Sequence, residues 1–243
     1  TGNPLTIYPS VEVAAGSGVK TFENDLSIRD LTLAATTKFN GTVTATNKIT
    51  GTADAVLLTF EKLVTAKEID IAGESIFKEG ISASTMKIGK TTITGTVTGK
   101  NITLGETLLD GHIDATETGG QITFTGPVTI SNAAEIKSDK KLEFTQGIQA
   151  NGSNLTLSSN DEIVIPNGLF TANKLTIEKA KLVRYGGTIQ ISSSDDFIIS
   201  YPAILVQNTD FDVGGNFIIK DHPTNGNKGS INCQTDPCDM SVT

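Results

Sequence analysis

Apolar residues in this chain fall in short alternating runs, and the runs repeat. With one inward-pointing residue taken as position zero, apolar or small residues return at offsets of four, six, nine and eleven. Phe22, Leu26, Ile28, Leu31 and Leu33 fit this template, as do Phe60, Val64, Ala66, Ile69 and Ile71. Phe77, Ile81, Ala83, Met86 and Ile88 follow without an insertion, and Ile93, Val97, Gly99, Ile102 and Leu104 come next. Looser copies begin at Phe39, Leu109, Phe144 and Ile165. Even steps inside each arm are the mark of strands with one buried face, and the odd step between arms marks a corner.

Starting residues Phe60, Phe77, Ile93 and Leu109 recur at nearly equal intervals. That spacing is too short for a βαβ unit and too regular for a sandwich. The pattern therefore predicts an all-β fold, a single-stranded parallel β-helix or β-solenoid of about a dozen rungs, roughly 60 Å long at the usual strand spacing. Position zero should form one internal ladder through Phe22, Phe39, Phe60, Phe77, Ile93, Leu109, Phe144 and Ile165. Glycines and the pairs Asn40-Gly41, Asn151-Gly152 and Asn167-Gly168 read as turn chemistry at corners. Three stretches follow: a cap and first rung over 1–21, regular rungs over 22–181, and larger rungs with a capped end over 182–243. The caps, LTIYPSVEV near the start and the cysteine-containing tail, would cover strand edges that otherwise invite pairing.

Composition narrows the class of function. The 243 residues hold no Trp, three Tyr and ten Phe, which suits a thin ladder-like core better than a wide one. A net charge of −8 with only two arginines, Arg29 and Arg184, argues against nucleic acid and leaves few bidentate clamps for acidic sugars. No apolar run is long enough for a membrane helix, and the chain opens on Thr1, so it reads as a mature or excised soluble piece that does not insert into membranes. Cys233 and Cys238 flank a short spacer with a proline, and a disulfide there would point to secretion.

Chemistry-bearing residues are sparse. Asp110, His112 and Asp114 alternate along one strand, opposite Leu109 and Ile113, so they are expected to face outward. Two carboxylates around an imidazole are the best metal or acid–base candidates in the chain, but the neighbouring rungs are expected to offer only Thr94, Thr96, Thr98, Thr125 and Thr129. A solvated polar face is the expectation, with no catalysis, metal or cofactor assigned. Asp195, Asp196, Asp210 and Asp212 read as solvated turn carboxylates, since no calcium-loop spacing surrounds them, and His222 reads as an exposed loop histidine. Thr42/Thr44, Thr94/Thr96/Thr98 and Thr123/Thr125 suggest a flat hydroxyl array of the kind that binds ice, but the rungs between break it. Sequons at Asn40, Asn101, Asn151 and Asn154 are no more than chance would give in so Ser/Thr-rich a chain.

The segments NLTLSSNDEIVI from Asn154 and GTIQISSSDDFIIS from Gly187 resemble the rungs of filamentous-haemagglutinin and autotransporter passenger domains. That resemblance implies a right-handed coil, an extracellular or cell-surface location, and a role in attachment or display. A host-cell or matrix protein or a surface glycan would be the partner, with a monomer favoured. ITGTVTGKNITLGE from Ile93 also resembles the short rungs of bactofilin-type self-assembling solenoids. A carbohydrate-active β-helix is the third class, and it needs a groove with clustered carboxylates or bases that the sequence does not display.

Overall fold

The computed structural model describes residues 5–6, 10–53, 55, 57–165, 169–191, 197–199, 203–213, 216–219, 231–233 and 240–242. Among them there is no helix, and every strand pairing is parallel. The fold is a parallel β-solenoid. The long strand Asn101–Ala115 shows how a turn is made, since it pairs along its length with Gln121–Phe124, then Val128–Ile130, then Ala134–Ser138. Three short strands separated by corners thus make one turn.

Stacking is continuous. Val11, Leu31, Ile49, Ile69, Met86, Ile102, Ile122, Leu142, Ile163, Val183, Ala203 and Ile231 form one unbroken ladder, each residue in register with the next. The members from Leu31 to Val183 are all at most 1% exposed. The core is therefore a column along the axis, and each turn is stabilised chiefly by burial against the turns on either side.

The aromatic ladder runs as the spacing predicts from Phe22 through Phe39, Phe60 and Phe77 to Ile93 and Leu109. Its rings stack with centroids 4.8–5.1 Å apart. It then passes to Ile130, and Phe144 and Ile165 do not belong to it. Phe144 lies instead in the ladder of Leu33, Ile71, Ile88, Leu104 and Phe124, with its ring 4.8 Å from that of Phe124, and Ile165 lies one residue past the Glu143–Val164 pair of the same ladder.

The reason is a change in corner length. The corner from Phe124 to Val128, like that from Phe144 to Ile148, is one residue longer than the corner from Ile88 to Thr91. The lengthened corner imitates the step that follows Phe77, so a one-dimensional template slips from one side of the coil to another. Turn length does not step up at Leu182: the turns from Ile49 to Ile69 and from Ile102 to Ile122 are as long as that from Ile163 to Val183, and the turns between Ile69 and Ile102 are the short ones.

Outside, charges alternate in sign from turn to turn. Glu61 pairs with Lys38 (3.1 Å) and Lys78 (2.8 Å), and Lys90 sits between Glu74 (3.8 Å) and Glu106 (3.6 Å). Strict register would otherwise stack like charges about 4.8 Å apart, so alternation removes a repulsion more than it adds an attraction, exposed pairs being weak. Carboxylates at corners also accept hydrogen bonds from neighbouring turns. The Thr42 N–H donates to Asp25 (2.8 Å), and both the Gly119 N–H and Asn160 Nδ2 donate to Asp139 (2.8 Å each).

These contacts hold four carboxyl groups below their ordinary range. The Thr42 backbone acts on Asp25, Arg29 on Asp30, Lys78 on Glu61, and Asn160 on Asp139. A lowered folded pKa contributes stability that is complete above the unfolded pKa and disappears as pH falls through the folded one. Thermal melts followed by far-UV circular dichroism should accordingly be flat near neutrality and drop below about pH 4. Asp139→Asn should make that acid slope shallower, and an unchanged slope would count against the contact.

Candidate functional site

Asp110, His112 and Asp114 sit on a strand anchored by Leu109 (0% exposed) and Ile113 (1%), so the three do point away from the core. Gly111 interrupts them at a corner, in register with Gly95, whose φ is +114°. Asp110, half-buried, accepts from Asn132 Nδ2 on the following turn (2.8 Å). Asp114 accepts from its own chain, from the Thr116 N–H (2.8 Å) and Oγ1 (2.6 Å). The two carboxylates are thus engaged by different partners, and His112 is exposed between them.

On the preceding turn Thr94, Thr96 and Thr98 lie in register with the three, as the spacing predicts. On the following turn the partners are not Thr125 and Thr129. Glu135 lies beside His112 and Lys137 beside Asp114, joined to each other by a 2.7 Å ion pair. The longer corner after Ala115 carries Thr125 and Thr129 to a different side of the coil. Among the described residues, no group of three or more His, Cys, Asp or Glu side chains gathers in metal-binding geometry.

A more coherent feature lies one corner away. Hydroxyls occupy the same outward position on successive turns at Ser27, Thr44, Thr65 and Ser82, and Thr98 follows one turn on before the column passes to Asp114. The neighbouring column is broken by Leu63 and Gly80, so the hydroxyls form a line rather than a sheet. Next to that line, the corner positions carry Ala66, Ala83 and Gly99. Gly99 is required there, because a Cβ would stand 2.3 Å from the Ala83 carbonyl oxygen. Small corner residues beside a row of short hydroxyls leave an open groove of about 390 Å³.

The lengthened corner after Ala115 closes one end of this groove. Its extra residues project as a loop bearing Thr116 and Glu117, which line the groove with Asp114, Ser82, Ser84 and Thr98. Asp114 ties the near side of the loop through Thr116, and Asp139 holds the Gly119 N–H on the far side. Asp114 is identifiable from sequence; Thr116, Glu117 and the small-residue floor are not. Their signal is the jump in turn length immediately after Ala115.

Of the other sequence candidates, Asn40 donates through Nδ2 to Glu23 (2.6 Å), Asn101 accepts from Gln121 (3.3 Å), and Asn154 accepts from Asn173 (3.1 Å). Asp195, Asp196, His222 and Cys238 lie outside the described residues, and only the backbone is described for Asp210, Asp212, Cys233 and Asn151, so the predicted Cys233–Cys238 bridge lies outside them too. No family model, no curated protein and no solved structure matches the chain.

Proposed function

We propose that this chain is an attachment or display rod that works at a cell surface or outside the cell, without catalysis. The observation that carries the reading is the unbroken ladder from Val11 to Ile231. A core that runs along the axis fills the interior with side chains and places outward residues at fixed intervals on long faces. Such faces suit recognition by repetition along a line, as extended solenoids provide. The net charge of −8 turns the rod away from nucleic acid and toward proteins or glycans.

The test is binding of the purified chain to host-cell surfaces, immobilised matrix proteins and a glycan array. Saturable binding by a strand-rich monomer is the expected result. Filaments on a sizing column with no binding would favour the self-assembling solenoid, and turnover of a polysaccharide that is lost in Asp110→Ala and Asp114→Ala would favour an enzyme.

A further inference from the structure

We infer that the groove beside the hydroxyl column is a binding site for a short, uncharged oligosaccharide segment. This deepens the attachment reading and rests on it. The line of Ser82 and Thr98, one residue per turn, sets hydroxyls about 4.8 Å apart along the groove. Each hydroxyl both donates and accepts, so the matching ligand is a chain whose own groups do the same at each step. A polyol meets that demand, whereas an amine or guanidinium only donates.

The end of the groove sharpens the choice. Asp114 and Glu117 stand there as acceptors, and no lysine or arginine is among the lining residues. Anionic sugars would bring a negative charge to two carboxylates, and Lys137 beside Asp114 is already paired with Glu135, so sialylated, sulfated and uronic-acid glycans are disfavoured. A cationic peptide could use the carboxylates, but Asp114 already accepts two hydrogen bonds from Thr116, and the hydroxyl row would give such a peptide nothing charge-specific.

Position explains why the site occurs at this turn. On the preceding turns this corner, from Ala45 to Ile49, Ala66 to Ile69, Ala83 to Met86 and Gly99 to Ile102, is too short to project a loop, and the longer stretch from Ala115 to Ile122 supplies one. The loop makes a stop for a ligand lying along the rod.

The experiment uses the whole chain, fluorescently labelled, on an array carrying neutral, sialylated and sulfated oligosaccharides. Ser82→Arg and Thr98→Arg fill the groove from outward positions, and Thr103→Arg adds the same charge on another face. All are compared with the parent chain by circular dichroism melts to establish that they fold. The parent chain should bind neutral oligosaccharides, with at least about tenfold weaker binding in the two groove variants, the scale of one or two lost hydrogen bonds, and unchanged binding in Thr103→Arg. Neutral-glycan binding that the groove variants leave intact would overturn the assignment, as would a preference for anionic glycans or a cationic peptide. Binding to cells or matrix proteins with no glycan bound would overturn this site while leaving the attachment rod standing.

Discussion

Phe60→Ala lowers the stability of the chain by about 3–5 kcal/mol, the range for deleting a fully buried aromatic ring. Phe60 is 0% exposed and stacks on both faces, 5.1 Å from Phe39 and 4.8 Å from Phe77. The neighbouring rings are held by their own strands in register, so they cannot collapse into the space. Loss of dispersion contacts therefore adds to the transfer cost. Phe22→Ala should cost less, since Phe22 is only half-buried and stacks on a single described ring. Urea titrations by circular dichroism compare the two, and equal midpoints would mean that the ladder does not bear on stability as described.

Gly111→Ala is expected to cost about 1–3 kcal/mol, the scale of overpacking a filled site. A Cβ at position 111 would lie 1.9 Å from the Gly95 carbonyl oxygen and within 2.9 Å of the Gly95 carbonyl carbon and nitrogen. All three atoms are backbone, so no side chain can move aside and the turn itself must shift. Gly16→Ala is the matched control, because nothing stands within 4 Å of a Cβ there. A Gly111→Ala variant as stable as Gly16→Ala would contradict the close stacking of these corners. The pair separates contact between turns from the general effect of replacing glycine.

Much of this architecture is legible in the sequence because β-strand alternation is local and solenoid stacking is periodic. Phe22 through Leu109 are placed correctly by counting alone, since each copy of the template there holds its phase. Counting fails at Phe144 and Ile165 because one residue added at a corner preserves the alternation while rotating the chain by one side. Counting apolar positions also passes over Ser75, Thr91 and Thr107, hydroxyl residues that are at most 2% exposed. Inside the coil, Ser75 Oγ donates to Thr91 Oγ1 (3.3 Å) and Thr107 Oγ1 donates to the Gly105 carbonyl (3.0 Å). Hydroxyls can occupy such a corner because acceptors are close enough to satisfy them.

The candidate site is harder to read for a related reason. Asp110, His112 and Asp114 stand out as a local pattern, yet Gly111 divides them and the partners they meet lie a full turn away along the chain, on either side. The groove is assembled from single residues on successive turns and one loop, so no contiguous motif marks it. Only the register between turns brings Ser82, Thr98 and Glu117 together.

The continuous in-register stack is tested most directly by distances along one outward column. Thr32, Thr50, Asp70, Lys87, Thr103, Thr123 and Glu143 follow one another turn by turn. In a chain carrying Cys233→Ser and Cys238→Ser, spin labels at Thr32 paired with Thr103, Thr123 or Glu143 can be measured by double electron–electron resonance. The stack predicts distances of about 19, 24 and 29 Å, rising by one strand spacing per turn. Distances that fail to rise in equal steps would contradict the stack and, with it, the line of hydroxyls on which the binding site depends.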